Sequence, residues 1–166
     1  MPHRNRNTNL FHGHTDAAFG NAVNCKSTTG YVYTIDGCMI TWMLKKQSVV
    51  ALSPTDAEYV LLSKVGCKAC WLRSLYHELG YNQIQPTEIR CNHNGVIAMV
   101  CNLQFHKQAK HIDISLRHHR IRDQVQEGVI EIQSCQDPDR MADILTKALA
   151  HPKHKKHCKE MGLVPV

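Results

Sequence analysis

Three acidic residues are the first candidates for chemistry in this chain. Glu58 precedes Leu61 and Leu62 by three and four positions, so on a helix it would share their apolar face. A carboxylate on a buried face is costly unless something pairs with it. Glu58 is therefore either a functional acid or a first-turn residue that the helix dipole stabilises. Asp16, at the end of a predicted strand, and Asp143, inside a predicted helix, are each interpreted singly as surface acids.

Two of the eight cysteines form a Cys-X-X-Cys pair, Cys67 and Cys70. On a helix both thiols fall opposite the apolar stripe. A structural zinc ion would need two further ligands, and no second pair follows at zinc-finger spacing. We interpret the pair as incidental surface or half-buried thiols, with a structural metal as the alternative.

Basic residues outnumber acidic ones. Twenty Lys and Arg against fourteen Asp and Glu give a net charge of +6, and twelve His can add to it. Such a chain attracts polyanions, nucleic acid above all. The densest run, His151-Pro-Lys-His-Lys-Lys-His157, is either the solvated face of a terminal helix or a surface for phosphates. The predicted nucleic-acid contacts are Lys26, Lys153, Lys155 and Lys156, and the alternative is charge that serves only solubility.

Length and composition restrict the class of protein. The chain has 166 residues, of which 43% are hydrophobic and 20% charged, and this fits one globular domain. No segment reaches the ~20 apolar residues of a membrane span, and the basic start lacks the apolar core of a signal peptide. We expect a cytoplasmic or nuclear protein that is not secreted, with reduced thiols and no membrane partner.

The elements that would position these residues follow from periodicity and turn signals. Residues 9–19 and 28–42 predict strands, with Asp36-Gly37 as a hairpin turn. A long helix begins at Ser53-Pro-Thr-Asp56 and ends at Gly80. Its apolar stripe comprises Ala57, Leu61, Leu62, Val65, Ala69, Leu72, Leu75 and Leu79.

The second half of the chain continues the alternation. The predicted elements are a strand over 87–91, helices over 94–101 and 112–126, a strand over 129–133, a helix from Asp137-Pro138 to 149, and a basic helix over 152–161. In the helix to 149, Asp143 lies off the apolar stripe of Met141, Ile144, Leu145 and Ala148. The order predicts one α/β domain with a five-stranded mixed sheet, three strands antiparallel and two parallel. We expect a basic leader over residues 1–9, the domain over 10–150, and a basic C-terminal helix and tail of the same domain over 151–166.

A series of short segments, in the same order, resembles the ribonuclease H domain of copia-type retrotransposon polyproteins. The resemblance spans roughly residues 10–163. The segments are Lys26-Ser-Thr-Thr-Gly-Tyr31, Trp42, Lys45-Lys-Gln47, Val50-Ala-Leu-Ser53, Thr55-Asp-Ala-Glu-Tyr59, Trp71-Leu-Arg73, Glu78-Leu-Gly80, Lys110-His-Ile-Asp-Ile114 and Ala142-Asp-Ile-Leu-Thr-Lys147.

The resemblance implies a ribonuclease H-like fold and a reaction. That reaction is hydrolysis of the RNA strand of an RNA–DNA hybrid, with two divalent cations, Mg²⁺ or Mn²⁺, held by four carboxylates. By position, the metal ligands would be Asp16, Glu58 and Asp143. The remaining catalytic position falls on Asn92, where the family has Asp, so metal would bind weakly if at all.

Further departures surround that position. The family's Asp-Asn-Gln-Ser is here Asn92-His-Asn-Gly95, and its Asp-Ala-Asp-Trp is here Asp16-Ala-Ala-Phe19. Several changes together favour drift or domestication over a single engineered substitution. Two functions stay open: a weak or inactive ribonuclease H, and a non-catalytic module that keeps the fold to bind nucleic acid or protein.

Overall fold

The computed structural model describes residues 11–20, 24–102, 120–136 and 139–163. The predicted leader, the segment Lys110-His-Ile-Asp-Ile114, the first part of the helix over 112–126, and Asp137-Pro138 lie outside these ranges. The elements are β1 (His12–Ala18), β2 (Thr28–Ile35), β3 (Cys38–Lys46), α1 (Pro54–Glu78), β4 (Thr87–Cys91), α2 (Asn94–Cys101), α3 (Arg120–Gln126), β5 (Ile130–Ser134), α4 (Asp143–Thr146) and α5 (His151–Glu160).

The sheet has the predicted topology, with the strand order β3-β2-β1-β4-β5. The first three strands are antiparallel, β4 runs parallel to β1, and β5 runs parallel to β4. Asp36 and Gly37 have φ values of 48° and 75°, so both lie in the left-handed region that a tight two-residue hairpin requires. β3 runs four residues beyond its predicted end, and its Lys46 pairs with Thr28.

Helix α1 begins as the capping pattern predicts. The side chain of Ser53 accepts a hydrogen bond from the backbone N–H of Asp56 at 3.1 Å, and Pro54 is the first helical residue. Most of the predicted stripe is buried, but the inclusion of Leu79 is wrong, since 61% of this residue is exposed. The helix ends at Glu78, and Gly80 then takes a φ of +81°, so Leu79 has left the face that packs on the sheet.

The core lies on both faces of the sheet. Val32 and Tyr33 are neighbours in β2, so their side chains point to opposite faces. The Tyr33 hydroxyl donates to the Val65 carbonyl of α1 at 2.9 Å. Val32 packs instead with Met141 and Met161, which flank α4 and α5. The sheet is therefore enclosed by α1 on one side and by the C-terminal segments on the other. Within the described ranges, no helix is both long and apolar enough to span a bilayer.

The prediction of a continuous helix from residue 137 to 149 is wrong. Within the described residues only one turn is helical, Asp143–Thr146, and Lys147 is already extended with φ −133° and ψ 147°. Ala142 at the start gives no side-chain cap. Leu145 and Met141 pack with Val32, while Thr146 and Lys147 bind Asp16. These contacts with the sheet are made by a short turn, and they outweigh the helical propensity of the sequence.

Smaller shifts affect two other elements. The fifth strand begins and ends one residue later than predicted, at Ile130–Ser134, and the last helix begins one residue earlier, at His151. Shifts of this size are ordinary for the ends of elements. The described part of the helix predicted over 112–126 is Arg120–Gln126, which ends at the predicted residue.

Replacing Gly30 by alanine should destabilise the protein by about 1–3 kcal/mol, because it overfills a packed contact. An added Cβ would lie 2.7 Å from Thr146 Cγ2 and 3.2 Å from Leu145 Cβ, forcing α4 away from β2. Urea unfolding measures the loss. The double variant Gly30→Ala, Thr146→Ser removes the Cγ2 and should recover part of the stability. An unchanged unfolding midpoint for Gly30→Ala would contradict this account of how α4 is seated.

Candidate active site

The fold gathers the predicted site residues from four separate segments. Asp16 lies near the carboxyl end of β1, and Asn92 directly follows the parallel neighbour β4, so both stand at the same edge of the sheet. The Asn92 side-chain amide donates to Asp16 Oδ1 at 3.2 Å. Asp143 opens α4 and is joined to Asp16 through Lys147, whose Nζ lies 2.9 Å from an oxygen of each carboxylate.

Asp16 and Asp143 are both buried, with exposed fractions of 2% and 3%. Their interpretation as surface acids is therefore wrong. Asp16 is covered by α4, since it also accepts a hydrogen bond from the Thr146 hydroxyl. Asp143 is additionally approached by Lys153 Nζ at 3.5 Å. Two buried carboxylates are tolerated here because each has a cationic or hydrogen-bonding partner.

Glu58 reaches the same region from α1, as its place on the apolar face predicts. Glu58 is only 4% exposed, and its Oε1 accepts a hydrogen bond from the backbone N–H of Ala17 at 3.0 Å. Within the described residues, Oε2 is buried without a hydrogen-bond partner. Burial raises the pKa of Glu58 to about 7, and the nearby charge of Asp16 adds to the rise, while the Ala17 hydrogen bond, Lys147 and Arg140 oppose it.

The acidic cluster contains the oxygen ligands that a hard cation prefers, but its side chains are not arranged to bind one. Carboxylate oxygens are the ligands that Mg²⁺ and Mn²⁺ prefer. However, nowhere in the described part of the chain do three His, Cys, Asp or Glu side chains stand together as a metal-binding group. Both oxygens of Asp16 already accept protein donors, from Asn92, Thr146 and Lys147. A cation would have to replace some of these contacts.

Comparisons with known proteins show which sequences and folds this chain resembles. The sequence matches no family model. It is 35% identical over 153 residues to the retrovirus-related Pol polyprotein from transposon TNT 1-94 of Nicotiana tabacum, covering 92% of this chain and 11% of the polyprotein. It is 34% identical over 161 residues to that from transposon RE2 of Arabidopsis thaliana, covering 96% of this chain and 11% of the polyprotein.

A solved structure has a similar fold. LC11-RNase H1, isolated from compost, matches with a TM-score of 0.53 at 12% identity, covering 83% of this chain and 93% of that one. This chain is a relative of retrotransposon Pol polyproteins and has a ribonuclease H-like fold. The predicted relationship is thus confirmed, while the assignment to the copia type stays a prediction. The chain spans about a tenth of the length of these polyproteins, 11% in each case.

The ribonuclease H-like sheet also buries a histidine beside the cluster. His14 precedes Asp16 by two positions in β1, so both side chains lie on the same face. It is 3% exposed, and neither ring nitrogen has a hydrogen-bond partner among the described residues. Burial lowers the pKa of His14 to about 3, and the charges of Arg90, His12 and His157 lower it further. The ring is therefore neutral at physiological pH and adds no charge to the site.

Lys147 and Thr146 contact the acidic cluster, although the sequence predicted no role for either. Both belong to a segment that resembles the retrotransposon family, and Lys147 follows Asp143 by four positions. That spacing is the signal for an ion pair on a helix. Burial lowers the pKa of the Lys147 ammonium, but hydrogen bonds from it to Asp143 and Asp16 outweigh this, and the net direction is upward.

One departure from the family pattern has a structural role in this ribonuclease H-like fold. His93 is the N-cap of α2, and its Nδ1 accepts the backbone N–H of Val96 at 3.3 Å. Gly95 lies beside it, since an added Cβ would be 3.0 Å from His93 Cε1. These two changes from the family sequence therefore fit one another. Phe19, a further departure, is 44% exposed just beyond β1.

The predicted nucleic-acid contacts are not equally available. Lys153 approaches Asp143, and Lys156 lies 3.7 Å from Asp139 and 3.4 Å from Glu160, whereas Lys155 is exposed. Lys26 is half-buried just before β2. The basic run is not simply a solvated face, because His157 within it is fully buried and its Nδ1 lies 2.8 Å from Glu160. A role for these lysines in binding stays a prediction.

The Cys-X-X-Cys pair lies on the outer side of α1, away from the acidic cluster. Cys67 is exposed, and Cys70 is half-buried with its Sγ 3.0 Å from the Gln124 side-chain amide of α3. The prediction treated the two thiols alike, whereas in the structure Cys67 is exposed and Cys70 is half-buried. Burial raises the pKa of Cys70 and so favours the thiol over the reactive thiolate.

Proposed function

We propose that this chain is a retrotransposon-derived ribonuclease H-like domain that acts weakly on the RNA strand of RNA–DNA hybrids. The observation that carries the proposal is the meeting of Asp16, Glu58, Asn92 and Asp143 at one edge of a ribonuclease H-like sheet. Asp16 contacts Asn92 directly and Asp143 through Lys147, while Glu58 binds the backbone of Ala17, next to Asp16. Buried acids in such a place favour a functional site over a purely structural one.

Asp16, Glu58 and Asp143 would hold Mg²⁺ or Mn²⁺ after some of the protein donors on Asp16 have moved away. Such cations, when bound, activate a water and stabilise the leaving oxygen of a phosphodiester. Asp16 occupies the centre, because Asn92 and Lys147 both contact its Oδ1. Glu58, with a pKa of about 7, is only partly ionised at neutral pH, and a bound cation would favour its charged form. Asn92 donates an N–H to Asp16 and contributes no negative charge, so we expect the activity to be weak.

Hybrid cleavage is the test of this proposal. A hybrid with a labelled RNA strand should be cut slowly, only with Mg²⁺ or Mn²⁺ present, and the same RNA without its DNA partner should stay intact. Asp16→Asn and Asp143→Asn should each abolish the cleavage while the fold is retained. Cleavage that survives Asp16→Asn would come from another nuclease in the preparation and would count against the proposal.

The second candidate is a non-catalytic module that binds nucleic acid. It is favoured by Asn92 and Lys147, which bring an amide and a cation to the acidic cleft. It is also favoured by the net charge of +6. Both candidates share the partner, a hybrid or another nucleic acid, so cleavage separates them and binding does not.

Binding should be mainly electrostatic. Contacts to ~3–5 phosphates would lower the affinity about 40- to 500-fold between about 50 and 200 mM salt, with little sequence preference. Fluorescence anisotropy of a labelled hybrid measures this. Lys155→Ala should weaken binding and flatten the salt dependence, whereas Lys68→Ala, on α1, serves as the matched loss of one charge. Affinity that is independent of salt, or equal effects of the two variants, would contradict the predicted surface.

The C-terminal helix and tail are proposed to belong to the same domain as residues 10–150. Support comes from α5, since the Met161 carbonyl that follows it accepts the backbone N–H of Met39 at 3.0 Å. Met161 also packs on Val32 in the second core cluster. The final helix thus covers the sheet face that carries Asp16, and its removal would uncover Val32.

A further inference from the structure

Both carboxylate oxygens of Asp16, at the centre of the acidic cluster, accept hydrogen bonds from protein groups. Asp16 Oδ1 receives the Asn92 amide at 3.2 Å and the Lys147 ammonium at 2.9 Å. Its Oδ2 receives the Thr146 hydroxyl. A carboxylate whose two oxygens both accept donors has lost the lone pairs that it would most readily offer to an incoming cation.

Lys147 has the position and charge of a counter-ion. Its Nζ bridges Asp16 and Asp143 at 2.9 Å each, while these two carboxylate side chains are only 2% and 4% exposed. Buried charges are costly when unpaired, so something positive must lie between them. In this arrangement the Lys147 ammonium is shared by the two carboxylates.

The Lys147 side chain can nevertheless move away from the two carboxylates while its backbone stays in place. Its backbone is fixed, because its N–H donates to the Asp143 carbonyl at 2.9 Å at the end of α4. Its side chain is 40% exposed, so the ammonium is within reach of solvent. Four rotatable methylene groups let the head move without any movement of the main chain.

We infer that Lys147 is a resident counter-ion of the cleft, whose ammonium a divalent cation must displace before it can bind Asp16 and Asp143 together. The inference deepens the proposed function, because it concerns the same acidic cleft. It implies that the fold is stable without metal and that metal affinity is set by competition with a side chain of the chain itself. Lys153, 3.5 Å from Asp143 Oδ2, adds a weaker contribution of the same kind.

Mn²⁺ binding tests this inference without any cleavage assay. Titration calorimetry of Lys147→Gln with MnCl₂ should give an affinity at least about tenfold above that of the unmodified chain, since a repelling charge at contact distance is removed. Lys155→Gln makes the same change of net charge on an exposed residue and should leave the affinity nearly unchanged. Lys147→Arg keeps the charge and should bind Mn²⁺ as weakly as the unmodified chain.

Folding provides a second readout. Without metal, Lys147→Gln should unfold at a lower temperature than the unmodified chain. Mn²⁺ should then raise the unfolding temperature of Lys147→Gln by more than it raises that of Lys155→Gln. Equal Mn²⁺ affinities of Lys147→Gln and Lys155→Gln, or no Mn²⁺ binding by either at millimolar concentration, would overturn the inference. Failure of hybrid cleavage alone would count against the proposed function and leave the Mn²⁺ result standing.

A measurement on the chain without substitutions tests the inference even if Lys147→Gln does not fold. Lysines can be labelled by reductive ¹³C-methylation, which keeps their charge. Addition of Mg²⁺ should move the Lys147 methyl signal toward that of exposed lysines and leave the Lys155 signal in place. A Lys147 signal that stays constant while Mg²⁺ binds the chain would overturn the inference.

Discussion

Asn92→Asp is expected to increase cleavage of an RNA–DNA hybrid about 10- to 100-fold. Loss of a group that supports a metal site lowers activity by the same range. The substitution places a carboxylate where an amide now lies 3.2 Å from Asp16 Oδ1. It replaces a donor that occupies Asp16 by an acceptor that a hard cation prefers. Initial rates of cleavage with saturating Mg²⁺ or Mn²⁺ measure the effect.

The same change should weaken the metal-free fold. Asp16 and the new aspartate would repel each other, and their contact would survive only if one of them took up a proton. Thermal unfolding in EDTA should therefore show a lower midpoint, which Mn²⁺ restores. Asn94→Asp adds the same charge on an exposed residue at the start of α2 and should change neither cleavage nor the response to metal.

Two outcomes would contradict this prediction in different ways. Rapid cleavage by the unmodified chain would mean that the Asn92 carbonyl is an adequate ligand. No gain in Asn92→Asp, with the fold intact, would mean that Phe19, His93 or Gly95 has also altered the cleft. That second result would favour the binding module over the weak nuclease.

Glu58→Gln is expected to stabilise the metal-free protein by about 3 kcal/mol at pH 8 and by almost nothing at pH 4, from ~1.4 kcal/mol per unit of pKa difference. The pKa of Glu58 rises from 4.5 to about 7 on folding, chiefly through burial. Between these values the folded state binds more protons than the unfolded state. Its stability therefore falls as the pH rises from 4.5 to 7 and is level above that, and glutamine has no proton to lose.

Urea unfolding in EDTA at pH 4, 6 and 8 measures the difference between the two proteins. Glu78→Gln, an exposed residue at the other end of α1, provides the matched loss of one charge and should have little effect. In saturating Mn²⁺ the advantage of Glu58→Gln should shrink or reverse, because the variant lacks a ligand. Equal stability of Glu58→Gln and the unmodified chain at pH 8 would show that Glu58 is ionised at little cost.

The sheet and the long helix could be predicted from the sequence because their signals are local. The turn Asp36-Gly37 specifies its hairpin whatever lies around it, and Ser53 caps α1 through an atom three residues away. The place of Glu58 on an apolar face could likewise be predicted from spacing alone. Periodicity is reliable where one face of an element decides its burial.

The short α4 and the burial of the two aspartates could not be predicted in this way. Asp143 looks like a surface residue in its own segment, and only the packing of that segment on β1 and β2 buries it. Lys147 receives its role from Asp16, 131 positions earlier in the chain. The predicted grouping of Asp16 with Asn92 and Asp143 came from the family resemblance, because spacing carries no information on such distant contacts.

The separation of these segments has a consequence for the order of folding. Asn92 meets Asp16 across 76 positions, and Thr146 and Lys147 meet it across 130 and 131. Contacts of such long sequence separation carry a high loop-closure entropy and tend to form late. If α4 docks after the folding transition state, Asp16 stays hydrated through the rate-limiting step. Substitutions in the cleft then alter how fast the native protein opens, while the rate at which it forms stays nearly constant.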